Sequence, residues 1–124
     1  MARILLIEDD AFTAALVTRI LTDGGHTVIR AVDGLQGIAK AVDEKPDLIV
    51  MDLGLPSMNG WDATRTLKTD PKTKPIPILA LTANLTPDDR EEAYNAGCDA
   101  FLTKPVPADV LLGRIRELLR ASTI

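Results

Sequence analysis

Ile4-Leu5-Leu6-Ile7-Glu8-Asp9-Asp10 sets an unbroken apolar run directly against three acids. Four apolar residues are too few for a buried helix and fit a strand covered on both faces. Similar short runs recur at Val28-Ile29, Leu48-Ile49-Val50-Met51, Ile78-Leu79-Ala80-Leu81 and Ala100-Phe101-Leu102. Bounded by polar residues or turn formers, they read as five strands. Between them lie stretches with helical spacing, such as Phe12, Leu16 and Ile20 with Val17 and Leu21, and Val110, Leu111, Ile115, Leu118 and Leu119. Strand and helix therefore alternate, which predicts an α/β domain: a parallel sheet covered by helices on both faces and joined by right-handed crossovers.

Punctuation agrees with this division. Gly24-Gly25 can end the first helix, Pro46 precedes the third strand and Gly97 can end the fourth helix. Thr86-Pro87-Asp88-Asp89 has the form of a helix start, with Thr86 as N-cap and acids at the positive end of the helix dipole. Asp70-Pro71-Lys72-Thr73-Lys74-Pro75 must be a loop, so the helix after Gly60 is the least well marked, and the last helix is expected to end near Arg120. His26 reads as a solvent-facing residue entering the second strand, Cys98 as a small apolar packer and Trp61 as an anchor of the third helix.

With 124 residues, 46% of them hydrophobic, the chain suits one compact domain over residues 1–124. A net charge of −4 argues against direct nucleic-acid binding, which usually needs a basic surface. Cys98 is the sole cysteine, so no intrachain disulfide is possible. The start reaches Glu8 too soon for a signal peptide, and no apolar run approaches the roughly 20 residues that span a bilayer. The expectation is a cytoplasmic protein that binds no membrane. Met1 just before the first strand favours a native start, while a piece cut from a longer protein stays open.

Parallel sheets of this kind bind ligands at the carboxyl ends of their strands, near the point where strand order reverses. Glu8, Asp9 and Asp10 follow the first strand, Asp52 the third, Thr82 the fourth and Lys104 the fifth, so all lie along that edge. Clustered carboxylates oppose one another's ionisation. A hard divalent cation such as Mg²⁺ is the natural compensation.

In these segments the chain resembles the response-regulator receiver family: Ile7-Glu8-Asp9-Asp10, Met51-Asp52-Leu53-Gly54-Leu55-Pro56-Ser57-Met58-Asn59-Gly60, Leu81-Thr82-Ala83 and Phe101-Leu102-Thr103-Lys104-Pro105. The resemblance covers essentially the whole chain. It implies a flavodoxin-like, doubly wound five-stranded sheet of order 2-1-3-4-5 with five helices, the order of the family's chemotaxis members. It implies that Asp52 is the phosphoacceptor, taking a phosphoryl group from a histidine kinase or histidine phosphotransfer protein in two-component signalling. Asp9, Asp52 and the main-chain carbonyl of Gly54 would hold Mg²⁺ directly, with Glu8 acting mostly through a water; Asp10 matches the acidic pair less well.

Lys104, the Thr82 hydroxyl and the Ala83 N–H would meet the phosphoryl oxygens, with Ala83 kept small for donor access. Lys104-Pro105 would be a cis peptide. Thr82 and Phe101 would form a switch that alters the surface of helix four, strand five and helix five for a downstream protein target. With Phe in place of Tyr at 101, a hydroxyl contact to that target is ruled out. Asp88-Asp89-Arg90-Glu91-Glu92 reads as a solvated helix face with acids suited to the dipole.

Two rival chemistries fit less well. A haloacid-dehalogenase-type phosphatase needs a second acid two residues after its nucleophile, and that residue is Gly54. A flavin site needs N–H donors after the first strand, where Glu8-Asp9-Asp10 would repel the phosphate. A degenerate receiver, lacking the chemistry, is unsupported because every phosphorylation position is filled.

Overall fold

The structure is a computed structural model that describes residues 2–53, 60–83 and 87–122. Its elements run β1 Arg3–Ile7, α1 Ala11–Asp23, β2 Thr27–Ala31, α2 Gly34–Glu44, β3 Leu48–Asp52, α3 Gly60–Thr69, β4 Ile78–Thr82, α4 Pro87–Ala96, β5 Ala100–Thr103 and α5 Ala108–Ser122. The strands are parallel and ordered β2-β1-β3-β4-β5, the flavodoxin-like order expected. The chain winds one way from β1 to β2 and the other way from β3 to β5, which opens the crevice where β1 and β3 end.

Alternation along the strands divides the core into two layers. Leu5, Ile7, Ile49, Met51, Ile78 and Ala80 join Ala41 of α2 with Ala63 and Leu67 of α3. Ile4, Leu6, Leu48, Val50, Leu79 and Leu81 join Val17 and Leu21 of α1 with Leu111 and Ile115 of α5. Full burial of each large side chain contributes about 1.5 to 3 kcal/mol, so both faces are strongly anchored. The continuous apolar runs in β1, β3 and β4 follow from this two-sided cover.

α1 departs from the face that its apolar spacing suggests. Ala14, Val17 and Leu21 are buried, whereas Phe12 is 72% and Leu16 52% exposed. The i, i+3, i+7 stripe wins because Ala14 lets the helix approach the sheet, and it turns the Phe12–Leu16 line outward. These two side chains border an apolar groove with Ile20, Pro105 and Val106.

α3 ends as expected at the 70–75 loop, where the buried Thr73 hydroxyl donates to the Leu67 carbonyl at 2.6 Å. Trp61 packs half-buried against the core and Cys98 is buried within it. Burial pushes the Cys98 thiol up to about 11, so it behaves as an apolar residue, as expected. His26 is half-buried rather than solvent-facing, because its Nδ1 accepts from the Ala2 N–H at 3.2 Å. Among the described residues no helix is long and apolar enough to cross a membrane. The expected cap Thr86 lies outside the described residues.

Candidate active site

β1 passes straight from its buried run into Glu8, whose N–H continues the sheet by donating to the Ala31 carbonyl at 3.0 Å. Glu8 is thereby held at 1% exposure. Asp52 is the last residue of β3 and is 6% exposed. Lys104 follows β5, its N–H donating to the Thr82 carbonyl at 2.8 Å, and the Lys104-Pro105 peptide is cis. Its Nζ lies 2.9 Å from Glu8 Oε1 and 3.2 Å from Asp52 Oδ1. Four elements far apart in sequence thus meet at one edge.

Asp9 completes the cluster from an exposed position: Glu8, Asp9 and Asp52 each offer an oxygen within 4.8 Å of the others. Of the three carboxylates, Glu8 and Asp52 share the Lys104 ammonium. Burial first, then the neighbouring Asp52 carboxyl, push Glu8 up to about 7, against the hydrogen bonds from Lys104 and the Asp10 N–H. Burial works to lower the Lys104 pKa, but its bond to Glu8 and the Asp52 charge outweigh it and raise the pKa. An all-oxygen donor set, half sunk in the sheet and open at Asp9, fits Mg²⁺ with water in its remaining positions.

Thr82 is half-buried and Ala83 exposed, both at this edge, while Gly54 lies outside the described residues. Phe101, half-buried on β5, packs edge-on against Tyr94 of α4 with ring centroids 5.2 Å apart. Asp10 is turned toward α1, whose N-cap it forms by accepting from Thr13 N at 2.9 Å and Thr13 Oγ1 at 2.6 Å. The side chains of Asp88, Asp89 and Arg90 fall outside the description, and the Glu91 and Glu92 side chains are exposed, Glu92 pairing with Arg65 at 2.8 Å.

Two contributors were given no role by the sequence: Gly60, there only the end of its motif, and Arg30. A Cβ at Gly60 would stand 2.5 Å from Leu53 Cα and 2.8 Å from the Asp52 carbonyl oxygen, so only glycine lets α3 begin against the backbone of Asp52. Arg30 on β2 donates to the carbonyls of Glu8, at 3.3 and 3.1 Å, and Asp9, at 3.3 Å. An arginine inside the otherwise apolar Val28-Ile29-Arg30-Ala31 was the available signal.

The family model for the response regulator receiver domain matches residues 4–116. The transcriptional regulator RpaA of Synechocystis sp. is 42% identical over 120 residues, covering 97% of this chain and 50% of RpaA. Protein PilH of Pseudomonas aeruginosa is 38% identical over 119 residues, covering 96% of this chain and 98% of PilH. The chain thus spans about half of RpaA and nearly all of PilH. Among solved structures, the receiver domain of the Pseudomonas aeruginosa sensor histidine kinase PA1611, which carries a magnesium ion in its active-site cleft, aligns with TM-score 0.90 and 32% identity over 95% of this chain and 97% of that one. The chain belongs to the response regulator receiver domain family, the phosphoryl-accepting signalling module of two-component systems.

Proposed function

We propose that Asp52 is the phosphoacceptor of residues 1–124 acting as one receiver unit. The observation that carries this is a carboxylate at the end of β3, sunk to 6% exposure yet 3.2 Å from the Lys104 ammonium and beside two further acids. An Asp52 oxygen attacks the phosphorus of a phosphohistidine on a kinase or phosphotransfer protein. The P–N bond breaks with its electron pair returning to the imidazole, and an acyl phosphate forms. Hydrolysis by water reverses the modification, and the domain promotes no other reaction.

Phosphoryl transfer asks chiefly for positioning and charge neutralisation. Lys104 binds a phosphoryl oxygen, and the Thr82 hydroxyl and Ala83 N–H donate to the others. Asp9 and Asp52 would hold Mg²⁺ directly and Glu8 through a water, together with the Gly54 carbonyl. Mg²⁺, when bound, supplies charge that offsets the carboxylates and the incoming phosphoryl oxygens.

For output, Thr82 moves toward the phosphoryl group and Phe101 follows, altering the β5–α4 surface, with α5 alongside, for a protein partner in the cytoplasm. The Phe101–Tyr94 contact supports this route, since it joins β5 to α4. Allosteric couplings of about 1 to 3 kcal/mol correspond to roughly 5- to 150-fold changes in partner affinity.

The deciding experiment is intact-mass analysis after incubation with acetyl phosphate and Mg²⁺. Wild type gains one phosphoryl group and Asp52→Asn gains none; undiminished uptake by the variant removes Asp52 from the role. Amide NMR with beryllofluoride tests the output: shifts in wild type reach α4 and β5, shrink there in Phe101→Ala, and confinement to the acidic pocket refutes the switch.

A further inference from the structure

We infer that Arg30 is a positioning residue for the metal ligands, a reading that rests on Glu8 and Asp9 belonging to the Mg²⁺ site. The loop that carries the acids spans three residues between β1 and α1. Its far end is fixed by Asp10, which caps α1 and whose N–H donates to Glu8 Oε2 at 3.2 Å. Its near side is fixed from β2: the Arg30 guanidinium reaches two consecutive carbonyls, those of Glu8 and Asp9, through Nε and Nη2. Arg30 itself is braced, because its own carbonyl accepts from Lys40 Nζ of α2 at 2.7 Å.

The chemistry of the fork decides what this contact does. A guanidinium stays charged at any working pH and presents its donors in a fixed plane, so it fixes the rotation of two adjacent peptide groups at once. Those peptide groups set the directions in which the Glu8 and Asp9 side chains leave the backbone. Lysine, a single point donor on a flexible stem, can satisfy one carbonyl without fixing the pair. Groups that orient metal ligands typically change metal affinity by about 10- to 100-fold when removed.

The charge of Arg30 acts in the opposite sense. A cation beside a cation site repels the ion, so if charge were its whole effect, Arg30→Gln would tighten Mg²⁺ binding and Arg30→Lys would leave it unchanged. Positioning predicts that both substitutions weaken binding.

The test titrates Mg²⁺ alone into wild type, Arg30→Gln, Arg30→Lys and Asp9→Ala, followed by amide NMR under conditions where urea denaturation shows each to be fully folded. Stability loss then cannot by itself move the affinity. The expected result is roughly 10-fold weaker binding in both Arg30 variants, with the Asp9 and Asp10 amide signals displaced even before Mg²⁺ is added. Tighter binding in Arg30→Gln, or unchanged binding in both Arg30 variants while Asp9→Ala loses it, overturns the positioning role and leaves the metal site standing. Unchanged binding in Asp9→Ala overturns the metal site itself.

Discussion

At the amino edge of the sheet the acids sit among donors, whereas at the carboxyl edge they face one another. Asp47 Oδ2 accepts from the Arg3 N–H that opens β1 at 2.8 Å, and Asp99 Oδ2 accepts from the Ile78 N–H that opens β4 at 2.8 Å while pairing with Lys68 at 2.9 Å. Parallel strands begin with unpaired N–H groups and end with unpaired carbonyls, so a carboxylate suits the first edge and works against the second. Glu8, Asp9 and Asp52 nevertheless gather at the second, where Lys104 pairs with Glu8 and Asp52. One residue type thus stabilises the fold at one end and holds repulsion in readiness for a cation and a phosphoryl group at the other.

The largest expected effect breaks this contrast directly. Asp52→Asn abolishes phosphoryl uptake yet raises stability in the absence of Mg²⁺, by about 1 kcal/mol, because it removes one of three mutually repelling charges. Asp99→Asn has the opposite sign. It weakens a charge-assisted hydrogen bond and a partly exposed ion pair at a cost of about 1 to 2 kcal/mol. Urea unfolding of the two variants reads both signs, and a destabilised Asp52→Asn would show the carboxyl edge to be no more strained than the amino edge.

Short of the loss of phosphoryl uptake, a second effect sharpens the contrast through pH. Glu8 is held up at about 7 in the metal-free protein, above its ordinary value near 4.5. The folded state therefore binds more protons than the unfolded chain across that window, and stability falls as pH rises from about 4.5 to 7. The amplitude is on the order of 1 to 3 kcal/mol. Saturating Mg²⁺ offsets it, since an ion that binds only the folded form at 100 times its Kd adds about 2.7 kcal/mol. Urea midpoints across this pH range, with and without Mg²⁺, check the sign; a metal-free midpoint that rises with pH contradicts it.

The carboxyl edge was legible in the sequence because each of its residues is local to a strand end: an apolar run followed by Glu8-Asp9, by Asp52, by Thr82 or by Thr103-Lys104 is visible without knowing the fold. What joins those ends was not legible. The buried face of α1 could not be read off, since the line Phe12–Leu16–Ile20 and the stripe Ala14–Val17–Leu21 lie close together around one helix, and only packing into the core layer selects the second. Arg30 escaped because its role is to hold main-chain carbonyls, which no side-chain pattern advertises. The amino-edge bonds of Asp47 and Asp99 escaped for the same reason, as their partners are backbone N–H groups set by register.

The smallest effect falls on Asp10, which lies at the acidic edge but is bonded as the amino-edge acids are. Its carboxylate accepts from both Thr13 donors, and these bonds hold its pKa below the ordinary carboxylate range. An acid so held keeps its cap through neutral pH and loses it only on acidification below its unfolded value. Asp10→Ala removes the cap and lowers the urea midpoint modestly, while Asp10→Asn, which still accepts from the Thr13 N–H, lowers it less. Neither change touches the three oxygens that cluster around the metal position, so Mg²⁺ affinity should move by no more than about two- to threefold, within the usual context scatter of helix-terminus charges. Asp9→Ala, one residue earlier, should lose binding altogether. Parallel Mg²⁺ titrations of the neighbouring variants measure the difference; equal losses at Asp9 and Asp10 would place Asp10 among the ligands and move the boundary between structural and functional acids one residue along the chain.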